Sequence, residues 1–309
     1  MSSTAQSRGS PRRRGRNWVW IAVIAALAVV GGAVAVQAMR DDSGSGEEST
    51  SASRHPALYT FETDDIHALA FDPQSEGRLV FGHHGGVMAS EDAGRSWTDL
   101  ADRSNFDGMN LAFDPQQAGR LLLAGHNVFA ASDDAGATWT SLRTDLPGLD
   151  LHAFAASPEQ GRFYAFAGGQ GLFVSTGGTE SWEPLWPEAP PGTHSIVDPG
   201  NGTLVLGAGD AGILRSEDGG QTWVDSRQGI DSGVIFSIKA DPSATRLYAA
   251  TSGGLYVSAD GGRSWSLTAL DDTMIVSVAV NPDNPDEVMA VDRDGSLFHS
   301  LDAGVTWLQ

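Results

Sequence analysis

Cysteine is absent from this 309-residue chain. That excludes disulfides, a lipidated cysteine, thiolate metal sites and a cysteine nucleophile. Acidic residues are absent from residues 1–40, where six arginines stand. Basic residues are scarce thereafter: residues 41–309 hold 13 of them against 39 acids, a net −26 within an overall −20. Such a surface repels nucleic-acid phosphates and anionic lipid and has no basic stripe to overcome the repulsion, so nucleic acid is excluded as a partner. Cations and neutral or basic ligands suit its field, which also favours solubility. Tyrosine is rare as well, with four in all, at 59, 164, 248 and 256.

What the N-terminus does have is a membrane address. Arg12, Arg13, Arg14 and Arg16 precede an uncharged run from Trp18 to Ala38. Its 21 residues suffice for a helix to cross about 30 Å of hydrocarbon. Trp18 and Trp20 stand where interfacial aromatic anchors belong, and the arginines should stay cytoplasmic, sending the rest across. The expected organisation is a basic cytoplasmic segment (1–17), a transmembrane signal-anchor helix (18–38), a flexible acidic Ser/Gly linker (39–54) and an extracytoplasmic domain (55–309). Val36 and Ala38 before Met39 offer an alternative, a cleaved signal peptide and a secreted domain.

One phrase recurs six times: SEDAGRSW (90–97), SDDAGATW (132–139), STGGTESW (175–182), SEDGGQTW (216–223), SADGGRSW (258–265) and SLDAGVTW (300–307). Successive copies start 42, 43, 41, 42 and 42 residues apart. A period in this range means stacked units, each too small to bury a core of its own. Around each phrase lie short apolar runs separated by turn residues, such as IHALAFDP (66–73), GRLVFG (77–82) and GGLYVS (253–258). Four strands per unit make an antiparallel sheet, and six sheets arranged radially make a β-propeller. The fold class is therefore all-β, a six-bladed propeller behind an N-terminal transmembrane helix.

The phrase reads as the turn between third and fourth strands. Its carboxylate (Asp92, Asp134, Asp218, Asp260, Asp302) accepts from its own turn. Its glycine (Gly94, Gly136, Gly220, Gly262, Gly304) supplies positive φ. Its tryptophan (Trp97, Trp139, Trp182, Trp223, Trp265, Trp307) buries a large apolar body. The third copy lacks the acid, with Gly177 in its place. These residues are assigned to folding.

The phrase resembles the BNR or Asp-box repeat, S-x-D-x-G-x-[ST]-W, of the sialidase-like and sortilin-like superfamily. That repeat implies a propeller and occurs in glycosidases, receptors and photosystem-assembly proteins. The chain looks most like small membrane-anchored bacterial members described as glycosyl-hydrolase-like. Sialidases of this superfamily use an arginine trio, a tyrosine nucleophile with a Glu partner, an Asp acid/base and an Arg-Ile-Pro motif. Arg-Ile-Pro does not occur here, three tyrosines fall in expected second or third strands, and Arg78, Arg120, Arg162 and Arg246 open second strands on the far face. The scaffold is present without the sialidase catalytic set. A general glycosidase needs a carboxyl pair ~5–5.5 Å or ~6.5–9.5 Å apart, and weak candidates on the near face are Asp64, Asp65, Asp107, Asp210 and Asp294.

Histidine is placed unevenly. His67 and His152 hold the start of the first strand in blades 1 and 3, and Met109 holds it in blade 2. His84 and His126, with His83 alongside, lie in the turn between second and third strands. Both positions open on one face, so these residues should gather in one sector. Later blades put Thr193, Phe236 and Val276 at the first position. Imidazole suits zinc or copper, and a thioether favours copper. The cluster reads as a metal site, as a small-molecule or glycan pocket, or as polar lining of a channel mouth. The expected function is a binding or protein-interaction scaffold with this His-bearing face; the alternative is a glycoside hydrolase. Finally, ALYTF (57–61) reads as a strand that touches blade 6 and closes the ring.

Overall fold

The computed structural model describes residues 55–63, 65–100, 106–159, 161–231 and 233–308. The expected membrane helix and linker lie outside these residues. No helix among the described residues is long and apolar enough to cross a membrane.

Those residues form six four-stranded antiparallel sheets. Blade 1 runs Ile66–Phe71, Leu79–His83, Gly86–Ser90 and Thr98–Asp99, with Ile66 opposite His83 and Leu79 opposite Ser90. Blades 2 to 5 repeat that order, with first strands Asn110–Phe113, Leu151–Ala156, Ser195–Gly200 and Ile235–Ala240. Blade 6 supplies Ile275–Val280, Val288–Asp292 and Ser296–Ser300, and takes Tyr59–Thr60 as its outer strand. Tyr59 stands opposite Leu297 and Thr60 opposite Ser296, so the segment before blade 1 completes the last blade. First strands of neighbouring blades lie side by side all the way round, including blade 6 against blade 1.

The apolar residues form six clusters, each between two neighbouring blades. No blade buries a core alone, as a repeat of this size dictates. The phrase tryptophans join these clusters: Trp97 between blades 6 and 1, Trp139 between 1 and 2, and so on to Trp307 between 5 and 6. Trp223 is less covered than the others and stacks on Trp186 at 5.2 Å.

The phrase is a hydrogen-bonded turn. In blade 1, Ser90 Oγ accepts from Gly94 N–H at 2.9 Å and donates to Asp92 Oδ1 at 2.8 Å. Asp92 accepts from Ser96 N–H at 2.8 Å and Ser96 Oγ at 2.6 Å. Trp97 Nε1 donates to Gly94 O at 3.0 Å. The Ser96 hydroxyl first, then its N–H, hold the Asp92 carboxyl down at about 2, and Thr138 and Thr222 do the same for Asp134 and Asp218. Gly94 has φ +85°, and a Cβ there would meet Leu297 Cδ2 at 2.9 Å, so both conformation and space demand glycine. The third copy has no acid in its turn, and its tryptophan N–H meets one from outside the phrase. Asp145, on the segment entering blade 3, accepts from Trp182 N–H at 2.8 Å and donates its own N–H to Glu180 O at 2.9 Å.

Candidate functional site

Each blade's first strand starts, and its second strand ends, at the same end of the ring, opposite the phrase turns. At this end a residue two places before each of three first-strand positions is an aspartate: Asp65 before His67, Asp107 before Met109, Asp150 before His152. The turn histidines reach across from the neighbouring strand ends. His84 Nδ1 lies 3.1 Å from Asp65 Oδ2, and its Nε2 lies 3.5 Å from Asp107 Oδ1. His126 Nδ1 contacts Asp107 Oδ2, and its Nε2 lies 3.3 Å from Asp150 Oδ1. His152 Nε2 lies 3.0 Å from the same Asp150 oxygen. Carboxylates and imidazoles thus alternate in one line: Asp65, His84, Asp107, His126, Asp150, His152.

A row of rings runs alongside. His67 meets His84 edge-on at 4.4 Å between centroids. His84 stacks on His126 at 5.9 Å, His126 meets His152 at 5.2 Å, and His152 stacks on His194 at 5.7 Å. Three groups have ligand atoms all within 4.8 Å of one another: Asp65, His67 and His84; His84, Asp107 and His126; His126, Asp150 and His152. Burial first, then the neighbouring His84, push the His67 imidazole down to about 4, so it is neutral at ordinary pH. Burial first and His152 second lower His194 as well. Among the described residues, the buried atoms His67 Nε2, His152 Nδ1 and Asp107 Oδ1 have no hydrogen-bond partner.

Of the expected residues, His67, His84, His126, His152, Asp65 and Asp107 come together. His83 does not. Adjacent to His84, it faces the other way, stacks on Phe81 at 5.8 Å and accepts from Gly85 N–H through Nδ1 at 3.1 Å. Met109 is half-buried just before the blade 2 strand. Asp210 and Asp294 are exposed and stand apart from the line. Asp64 lies outside the described residues. On the far face, Arg78 is bound to Asp72 and Glu91 at 2.8 Å each, a structural engagement.

Two members escape the sequence reading. His194, rather than Thr193, occupies the blade 4 first-strand position. Strand register decides this: Ala155 pairs with Tyr164 and Val197 with Val205, which aligns His152 with His194. Thr193 is instead buried, its Oγ1 donating to Pro190 O at 2.8 Å. Asp150 was visible as the third Asp-x-(His/Met) step, a pattern that needs the repeats aligned one residue more finely.

No known family profile matches the chain, and no curated protein matches it in sequence. Solved structures do share its fold. A GH74 enzyme of Niastella koreensis superposes with a TM-score of 0.62 at 20% identity, over 82% of this chain and 46% of that one. A YCF48 protein bound to a D1 peptide superposes with 0.54 at 20% identity, over 82% and 87%. A chain of a nidogen/laminin complex superposes with 0.61 at 15% identity, over 75% and 92%. This chain spans less than half the GH74 enzyme's length. The propeller therefore serves glycoside hydrolases and proteins seen with a peptide or protein partner alike.

Proposed function

We propose that this protein is a membrane-anchored, extracytoplasmic binding module whose six-bladed ring holds transition-metal ions, zinc or copper, along the carboxylate–imidazole line. The observation that carries the reading is the alternation itself. An imidazole between two carboxylates satisfies both only as imidazolium, donating from both nitrogens, or through metal ions set between the groups. Ligands at ~2.0–2.1 Å around a tetrahedral ion lie ~3.3 Å from one another. Four of the line's five nitrogen–oxygen separations, at 3.0–3.5 Å, match that spacing, and His126 Nδ1 lies closer to Asp107 Oδ2. Burial that keeps His67 neutral favours the metal-binding form of the ring. His84, Asp107 and His126 would hold the central ion, and His67 and His152 would extend the set on either side. An acidic domain also draws cations to its surface.

The test is metal analysis and calorimetry on the full chain in detergent. Zinc or copper should bind at one or more equivalents. His126→Ala and Asp107→Asn should weaken it ~10–100-fold, while His83→Ala changes it little. A wild-type protein that takes up neither metal ends this reading. Glycoside hydrolysis is the second reading, favoured by the likeness to a GH74 enzyme. Turnover of aryl glycosides that Asp107→Asn abolishes would put it first.

A further inference from the structure

Lys239 is the only lysine in the chain. It stands on the first strand of blade 5, the strand nearest the axis, opposite Tyr248. The register places it in a ring of six equivalent positions. The other five are Ala70 opposite Val80, Ala112 opposite Leu122, Ala155 opposite Tyr164, Val197 opposite Val205, and Ala279 opposite Met289. Five small apolar residues and one lysine therefore share one level of the channel. That level borders a cavity of about 280 Å³ whose walls include Leu69, Phe113, Phe154 and Ile196. Lys239 is the one charged or titratable side chain on those walls. It has no hydrogen-bond or ion-pair partner among the described residues, and enclosure by the channel lowers its pKa. The side chain is half-buried, on the wall of the open channel.

A lysine whose charged form is disfavoured by burial and which meets no protein partner gives the fold nothing that a small apolar side chain would not. Every neighbouring blade solves the same position with a small apolar side chain. The exception points to a partner from outside the chain. We infer that the central channel binds a small apolar molecule carrying a single carboxylate, its tail among the aromatic and aliphatic walls and its head on Lys239 Nζ. One ammonium offsets one negative charge, and the net −26 of residues 41–309 opposes any further charge on the ligand. A cavity of 280 Å³ holds about nine waters at ~30 Å³ each, room for a ligand of about ten heavy atoms. A covalent imine with a carbonyl compound fits less well. Expelling water from the carbinolamine needs a proton donor and acceptor, and the walls offer no titratable group besides Lys239 itself. The inference is independent of the metal line. Lys239 lies three residues along the strand from the histidine level, ~10 Å at ~3.3 Å per residue.

A single lysine makes the test direct. Reductive methylation with ¹³C-formaldehyde labels Lys239 and the N-terminal amine of the full chain in lipid nanodiscs, and the lysine resonance is followed against octanoate. Octanoate should shift that resonance saturably and bind at least tenfold tighter than octanol, which shares the chain but lacks the charge. Lys239→Met should lower octanoate affinity at least tenfold, leave octanol binding unchanged, and leave metal uptake unchanged. Equal binding of octanoate and octanol to the wild type would overturn the inference. So would undiminished octanoate binding by Lys239→Met. A borohydride-trapped adduct with octanal, without saturable octanoate binding, would replace it with carbonyl chemistry.

Discussion

Phe61 is the most exposed test of how the ring closes. Its backbone N–H donates to Gly295 O of blade 6 at 2.9 Å, and Leu58 N–H donates to Leu297 O at 2.7 Å. Its ring faces the other way round the seam: it stacks on Phe81 at 3.9 Å and meets Trp97 at 5.0 Å, both in blade 1. Only 3% of Phe61 is exposed. One residue thus belongs to the first and last blades at once. Phe61→Ala removes a buried ring and leaves a cavity, which costs ~3–5 kcal/mol when the surroundings do not collapse. The segment lies ahead of the blades, so fraying competes with global unfolding. If the segment merely frays, the loss is limited to its own docking energy and the ring survives open. Urea unfolding of the full chain in detergent measures the total, and hydrogen exchange at Leu297 and Phe81 distinguishes the two routes. Both strands should lose protection together in Phe61→Ala, while exposed Glu62→Ala should stay within ~0.5 kcal/mol of wild type. A Phe61→Ala loss below ~1 kcal/mol with protection intact would refute closure through this segment.

Two further outcomes follow from the turns. Asp145→Ala should destabilise by ~1 kcal/mol, since the Trp182 N–H loses its carboxylate, whereas Asp145→Asn keeps an acceptor and should cost less; urea midpoints compare them. The carboxylates of Asp92, Asp134 and Asp218 are depressed from the ordinary 3.8 to about 2, so they favour the folded state fully above that ordinary value and lose the contribution as pH falls through about 2. Stability measured by urea should fall steeply between those two pH values, and Asp92→Asn should make the fall shallower.

The ring was legible because its determinants are local and repeated. A turn that needs Ser, Asp, Gly and Trp at fixed spacing announces itself six times, and each copy brings its own strands. The clasp was legible too, since ALYTF has strand character directly before blade 1, and Tyr59 and Thr60 of it pair with blade 6. Features decided by register were less legible. A one-residue offset separates Thr193 from His194, and only the pairing of Val197 with Val205 fixes which of them faces the line. His83 and His84 are adjacent in sequence and opposite in direction. The bond from the Trp182 N–H to Asp145 joins residues 37 apart through a contact that no local pattern encodes. Lys239 lies in no motif that the sequence displays. Its meaning comes from the five other side chains at its level of the channel.

The residues that build the scaffold recur all round the ring, while the line of imidazoles and carboxylates occupies blades 1 to 3 only. Stability and binding should therefore separate according to which seam is weakened. Trp182 sits between blades 2 and 3 in the same cluster as Leu151, the residue between Asp150 and His152. Trp265 sits between blades 4 and 5, away from the line, and donates through Nε1 to Ser226 O at 2.8 Å. Both are over nine-tenths buried, so each substitution to alanine should cost ~3–5 kcal/mol. Only Trp182→Ala loosens the seam across which His126 and Asp150 must meet. Zinc or copper affinity measured under conditions where both variants are folded should fall ~10-fold or more in Trp182→Ala and stay near wild type in Trp265→Ala. Equal losses in the two would mean that affinity follows global stability, and the line would then not act as a local, preorganised set of ligands.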